Sequence, residues 1–281
     1  MTLRHIAEAT VAALERGNYA APSGRVVDFS PLLKRCLEGT RCYKPEALAT
    51  ICDQVLASPR IADRTEFELV NETTLQGSAR LVESGEYRRV GVLNFASAKH
   101  PGGGFLGGAK AQEESLARSS GLYPSLLRCS GYYSFHRRQK TGLYSDWMIF
   151  SPDCPVLRTD GGDWLEAPYV VSFIISAAPN AGAIQANQPY NLSKIPATFR
   201  ERIRKLLALA VHEGCDALVL GAWGCGAFRN DPQVVAPLFW ESLRPDGPFW
   251  GRFKKVLFSV LDPSKSQNIY NAFAKSLGET P

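Results

Sequence analysis

The sequence has no uninterrupted apolar run near the roughly 20 residues that a membrane-spanning helix needs, so no transmembrane segment or membrane partner is expected. Its seven cysteines (Cys36, Cys42, Cys52, Cys129, Cys154, Cys215, Cys225) form an odd, scattered set without a CxxC pair. That argues against a disulfide framework or a zinc site and for reduced thiols in the cytoplasm. The four histidines (His5, His100, His136, His212) lack metal-ligand spacing, and no metal or cofactor is implied. No Gly-Lys-Ser/Thr follows any glycine cluster, which excludes a P-loop nucleotide site. Internal repeats and low-complexity tracts are also missing. The charge is nearly balanced: a net +5 favours a polyanionic partner without establishing one.

What is present suits a soluble globular chain. With 281 residues, 45% of them hydrophobic and 21% charged, it can form one large domain or a domain with an extension. The first 62 or so residues read as a helical extension that packs on or precedes the main domain. Leu3, Ile6, Ala7, Val11 and Leu14 make a helical stripe, with Thr10 on the same face and Gly17 as a stop. This opening reads as an amphipathic helix, not a signal peptide. Helical pieces follow at Leu32–Leu37 and Leu48–Leu56, with VVDF as a lone hairpin arm.

From Glu66 onward, strand and helix alternate. Phe67–Val70 reads as a strand and Asn71 as the N-cap of the next helix. Val90–Phe95 is a strand, Lys110–Ser120 a helix, and Gly121 its glycine stop. Residues 123–138 suggest a short helix plus loop, and Trp147–Phe150 and Val156–Arg158 two short strands around Pro152 and Pro155. Tyr169–Ser176 has the composition of a fully buried strand, and Pro179–Ser193 of a polar loop. A helix starting at Pro196, a strand at Ala217–Ala222, a helix at Pro232–Leu243, a strand at Val256–Leu261 and a helix at Ile269–Leu277 complete the chain. Near-continuous apolar strands alternating with helices predict an α/β fold, with a mostly parallel sheet between helices over residues 63–281.

Two glycine loops follow two of these strands. The first runs from Pro101 to Gly108, holds Gly102, Gly103 and Gly104, and leads into Gln112-Glu113-Glu114 at a helix start. A strand end passing its amides to a helix N-terminus is where open α/β sheets bind anions. The second, Gly221 to Pro232, holds Gly224, Cys225, Gly226, Ala227 and Phe228 and matches a dinucleotide fingerprint only loosely. Together they favour a bound diphosphate.

Glu113 and Glu114 suit the first turn of any helix, because carboxylates complement the macrodipole there. Their position beside a loop built for close backbone approach makes them candidate catalytic groups. Consecutive helical residues point about 100° apart, so they are not the opposed acid and base of an ordinary glycosidase. One can act as acid while the other holds a hydroxyl. A helix N-terminus lowers a carboxyl pKa, whereas a general acid needs it raised; burial, the adjacent carboxylate and a bound diphosphate act in the raising direction. Asn94 and Ser97 at the strand end can bind ribose hydroxyls or cap the loop. Phe228 can press on a ribose or base, or pack in the core. Cys225 has no base near it in sequence and reads as a space-filler. The aromatic and basic segment RCSGYYSFHRRQK resembles a nucleic-acid groove in composition, but a cap over the ligand or plain surface is the expectation.

NFASAKHPGGGFLGGAKAQEE resembles the signature of poly(ADP-ribose) glycohydrolases of the shorter bacterial type, on the macro domain fold. GAWGCGAFRNDP is similar to that family's diphosphate-binding loop, and the helical extension and Asn71–Thr74 also fit. The resemblance implies hydrolysis of the ribose–ribose O-glycosidic bond of poly(ADP-ribose), releasing ADP-ribose from the chain terminus. It implies Glu114 as general acid and then base, Glu113 as the group holding ribose hydroxyls, glycine loops on the diphosphate and Phe228 on the distal ribose. Free polymer or ADP-ribosylated protein is the implied substrate, with no direct DNA or RNA binding. Two other readings share the binding loops: a macro domain that only binds ADP-ribose, and a hydrolase of single ADP-ribose units on proteins.

Overall fold

The computed structural model describes residues 1–278. Helices α1 (Leu3–Arg16), α2 (Ser30–Gly39) and α3 (Pro45–Ala57), a hairpin of β1 (Asn18–Ala20) and β2 (Val26–Asp28), and β3 (Arg41–Tyr43) come first. They are followed by β4 (Glu66–Val70), α4 (Thr74–Glu83), β5 (Val90–Phe95), α5 (Gln112–Ser119), α6 (Leu122–Leu127), α7 (Ser130–Arg138), β6 (Met148–Arg158) and β7 (Trp164–Ser176). The chain ends with α8 (Ala181–Asn187), α9 (Ile195–His212), β8 (Ala217–Leu220), α10 (Pro232–Leu243), β9 (Lys255–Ser259) and α11 (Asn268–Gly278).

Seven strands form one mixed sheet in the order β3-β6-β7-β5-β8-β9-β4. The five from β7 to β4 are mutually parallel, and β6 and β3 continue the sheet antiparallel. The apolar character of the central strands has a direct cause, since both faces are covered. On β5, Leu93 faces a core shared with α3, α9, α10 and α11, built from residues such as Phe199, Leu206, Phe239 and Phe273. Val90 and Val92, one step away in the pleat, face the opposite core with Leu75, Leu116, Leu126 and Tyr133. Because β5 and β8 are adjacent and parallel, the two glycine loops leave the same rim of the sheet side by side.

Several sequence expectations change. The cap of α4 is Thr73, in a capping box with Gln76; Asn71 instead exchanges two hydrogen bonds with the main chain of Asp262. Helix α5 starts at Gln112 and is capped by Ser120, which is extended; Gly121 has φ −71° and opens α6. Its missing side chain makes room for Leu33 and Pro155. The two short strands around Pro152 and Pro155 are one strand, β6; Pro152 falls in a register shift between Ser151 and Cys154, and Pro155 pairs with Val170. The strand ending at Ser176 begins at Trp164, and its first half is not buried. The expected loop after Pro179 contains α8, capped by the Asn180 side chain. Among the cysteines, Cys42 of β3 and Cys129 at the start of α7 are joined in a disulfide, with Cα atoms 5.9 Å apart. Fold proximity, invisible in the spacing, brings them together, and the expectation of seven reduced thiols is corrected to five buried free ones.

The first 62 residues do more than cover the domain. β3 pairs with β6 and extends the sheet. Thr10 of α1 is fully buried, donates to the main-chain oxygen of Arg118 at 2.7 Å and accepts from Arg158 Nε at 2.9 Å. Ala7 packs with Phe105 and Ala117. Helix α1 therefore braces the first glycine loop and α5 from behind.

Candidate active site

A cavity of about 480 Å3 opens at the carboxyl ends of β5, β8, β9 and β4, lined by Glu113, Glu114, Gly224, Gly226, Ala227 and Phe228 among others. The first glycine loop does not line it but packs against the Glu113 and Glu114 carboxyl groups that do. Gly102 and Gly103 have φ of +69° and +59°, two successive left-handed residues that a side chain would strain. A Cβ on Gly103 would lie 2.2 Å from Oε1 of Glu114 and 3.3 Å from Oε2 of Glu113. Both carboxyl groups thus converge on one glycine, on one side of the loop. They do not oppose each other across a ligand.

The three residues Gln112, Glu113 and Glu114 point in three directions, as successive helical positions must. Gln112 accepts from Phe95 N at 2.8 Å and donates to Leu93 O at 2.7 Å and Thr74 Oγ1 at 3.2 Å. Its amide staples α5 to the end of β5. Glu113 is buried; Oε2 accepts from Ser97 N at 2.7 Å and Oε1 from Asn94 Nδ2 at 3.3 Å. Burial pushes its carboxyl up to about 8, and the charge of Glu114 adds to that, against the lowering effect of the donors at Ser97, Asn94 and Gly102. Glu114 is half-buried, and its Oε1 accepts from Gly104 N at 3.0 Å.

The second loop is held from below. Trp223 is fully buried and donates from Nε1 to Ser176 O at 3.1 Å. Asn230 Nδ2 donates to Pro179 O and Gly224 O, at 2.7 and 2.9 Å. Gly224 has φ +76°, and a Cβ there would lie 2.6 Å from both Ala178 Cβ and Asn230 Nδ2. Beyond it, the main-chain N–H groups of Gly226, Ala227 and Phe228 have no hydrogen-bond partner among the described residues. Three free amides in succession at a glycine turn are available to an anion. Phe228 is half-buried at the cavity edge, its ring 6.1 Å from that of Tyr144. The Cys225 thiol is buried and pushed up to about 12 by that burial, so it is not a nucleophile at neutral pH.

Of the residues singled out in sequence, Ser97, Gln112, Glu113, Glu114, Gly224, Gly226, Ala227 and Phe228 line the cavity, with the Gln112 amide turned to the sheet. Asn94, Gly102, Gly103, Gly104 and Cys225 do not; Asn94 and the three glycines instead pack against the two carboxyl groups or the loop that holds them. The far wall holds residues that sequence reasoning left aside: Thr73, Asp160, Val260, Leu261 and Ile269. Thr73 donates to Asp160 at 2.6 Å, and burial raises the Asp160 carboxyl. The capping-box spacing Thr73-Thr74-Leu75-Gln76 was the signal for Thr73. Asp160, in a turn after β6, had none. The segment 123–140 folds into α6 and α7, with Tyr132, Tyr133 and His136 turned inward. His136 is held near pH 4 by burial, stays neutral, and bonds Tyr132 O and Ser145 Oγ.

The family model described as the microbial-type PARG catalytic domain matches residues 7–159. The chain belongs to this poly(ADP-ribose) glycohydrolase family. A solved structure of poly(ADP-ribose) glycohydrolase from Thermomonospora curvata is 48% identical, with 98% of each chain covered and a TM-score of 0.93. The same enzyme bound to the inhibitor ADP-HPD matches at 48% identity and a TM-score of 0.90, covering 97% of this chain and 98% of the other. Poly(ADP-ribose) glycohydrolase from Deinococcus radiodurans in complex with ADP-ribose is 41% identical, with 88% of this chain and 96% of that one covered and a TM-score of 0.82. No curated protein matches. The macro domain-like α/β expectation agrees with these relatives.

Proposed function

We propose that this protein hydrolyses the ribose–ribose O-glycosidic bond of poly(ADP-ribose), working from the chain terminus and releasing ADP-ribose. The observation that carries the reading is one cavity holding both an anion cradle at Gly226–Phe228 and a pair of carboxyl groups at Gly103. Family membership supplies the reaction class. The cradle suits a diphosphate, Phe228 a ribose face, and the apolar end at Val260 and Ile269 a purine.

Two observations pull the acid assignment apart. Glu113 has the raised pKa that a general acid needs, but it is buried with both oxygens engaged by Ser97 and Asn94. Glu114 faces the cavity with one oxygen anchored to Gly104 and the other without a protein partner among the described residues. Geometry ranks ahead of pKa in choosing an acid. Glu114 therefore protonates the leaving ribose oxygen and then activates water at the oxocarbenium-like centre. Glu113, neutral at pH 7, holds ribose hydroxyls. None of these roles calls for a metal.

No described helix is long and apolar enough to cross a membrane. A cytoplasmic setting belongs to the proposal and is supported by the five buried free cysteines. The Cys42–Cys129 link pulls the other way, since disulfides persist in oxidising compartments. Alkylating cells before lysis and mapping the cysteines by mass spectrometry decides between them.

The functional test is incubation with poly(ADP-ribose) and chromatography of the products. Wild type releases ADP-ribose without early oligomers. Glu114→Gln binds ADP-ribose as before but loses on the order of 10²–10⁴ in turnover, the range for a general acid. Near-normal turnover by that variant defeats the assignment. Tight ADP-ribose binding without any product from wild type would make the protein a reader module.

A further inference from the structure

Between Glu86 and Asp146, the only acidic residues are Glu113 and Glu114. The same stretch carries exposed cations that cluster beside the catalytic loop. Ser97, whose N–H binds Glu113, accepts with its Oγ from the main-chain N–H of Lys99 and of His100, at 3.3 and 3.1 Å. Arg137 of α7 donates from Nη1 to Lys99 O at 2.9 Å. The basic end of α7 is thereby fixed two residues from a main-chain contact to the site. Arg138 and Lys140 follow at once, both exposed. Lys99, Arg137, Arg138 and Lys140 form no ion pair among the described residues.

The aromatic members of this segment are already packed against the protein. Tyr132, Tyr133 and His136 are buried, and the half-buried Phe135 is stacked on Trp147 with ring centroids 5.6 Å apart. The exposed residues at this end, Arg137, Arg138 and Lys140, are cationic, and the one half-buried ring of α7 is already occupied by Trp147. This end suits phosphates more than bases, since stacking needs accessible aromatic faces.

Unpaired like charges held close together repel one another and gain most from a polyanion. A terminal ADP-ribose unit occupying the cavity leaves the rest of its polymer outside, joined through the scissile bond at Glu114. We propose that Lys99, Arg137, Arg138 and Lys140 form a subsite for the diphosphates of the polymer on the leaving-group side of that bond. This rests on the glycohydrolase reading. The cavity binds one unit and the basic rim the following ones, so the two contacts act on one chain. Long polymer gains affinity over short by linkage, with no change in the cavity.

The test uses the full chain and the double variant Arg138→Glu with Lys140→Glu, two side chains without described hydrogen bonds. Initial rates are measured on long poly(ADP-ribose) and on the two-unit oligomer across a salt series, with ADP-ribose binding measured separately. For the variant, KM on long polymer rises on the order of tenfold at low salt, while kcat and ADP-ribose affinity hold. The slope of log affinity against log salt flattens by about 1.4, at about 0.7 per lost phosphate contact. The preference for long over two-unit substrate shrinks with it. Unchanged KM and salt slope on long polymer would overturn the subsite. So would equal losses for free ADP-ribose and polymer, or single-stranded DNA of matched charge competing as well as poly(ADP-ribose). Wild type that cleaves no polymer at all would strike the glycohydrolase reading itself, a different result from any of these.

Discussion

The two glycine loops leave neighbouring parallel strands at one rim, yet their glycines answer to different neighbours. In the first, Gly103 faces the enzyme's own carboxyl groups, so the missing side chain is filled by Glu114 and Glu113. In the second, Gly224 is closed in by Ala178 and Asn230, and nothing lies within 4 Å of a Cβ on Gly226. One loop is shaped by carboxyl groups already in place. The other keeps open space and free amides for a group that arrives from outside. The fold requires glycine at Gly103 and at Gly224, whereas at Gly226 it leaves the space empty.

Substitutions sharpen this contrast. The largest effect is expected from Gly103→Ala. The left-handed backbone costs about 1–3 kcal/mol for a residue with a side chain, and the new methyl displaces the Glu114 carboxyl. Activity should fall about as far as in Glu114→Gln, together with a drop in urea midpoint. A variant with wild-type turnover would show that the carboxylate position does not matter.

An intermediate effect, dependent on pH, is expected at Glu113. Its folded-state pKa, about 8, lies above the ordinary 4.5 because of burial. Between those values the unfolded chain gives up a proton that the folded chain keeps. Stability from this group is therefore complete below about pH 4.5 and is lost as pH rises toward 8. Glu113→Gln removes the titration. In urea unfolding, the stability of wild type minus that of the variant should decline from pH 5 to 8 and then level off. A difference that stays flat would mean that Glu113 is ionised in the fold at neutral pH.

The smallest effect on the fold belongs to Gly226→Ala. It has no positive φ and no neighbour to meet, so stability should stay within about 0.5 kcal/mol of wild type. Any loss of ADP-ribose affinity by calorimetry would then come from the ligand's own space. Unchanged affinity would move the diphosphate elsewhere in the cavity.

The parts of this site legible in sequence were those with local causes. An apolar run too short for a helix marks β5, successive glycines after it mark a left-handed turn, and Gln112 to Glu114 mark the helix that follows. That two glycine loops after two strands can share one carboxyl-end rim follows from the rule for open α/β sheets, whereas the adjacency of β5 and β8 is seen only in the strand order. What escaped depended on distant contacts. Asp160 enters the cavity because β6 and β7 form a long hairpin, which the prolines at 152 and 155 disguised as two pieces. The staple made by Gln112 is a matter of side-chain direction, which the motif does not record. The pairing of Cys42 with Cys129 needs an edge strand and a helix end brought together from residues 87 apart in sequence.

That pairing also makes part of the backbone a closed covalent ring. Inside it lie β4, β5, the first glycine loop and both candidate catalytic glutamates; Phe228 and its amide cradle lie outside. Closing a ring of this size removes unfolded-chain entropy worth roughly 4–5 kcal/mol. A protease that cuts at exposed Lys99 or Lys110 therefore frees no fragment: the severed halves stay bonded, and a single band on a non-reducing gel splits only when thiol is added.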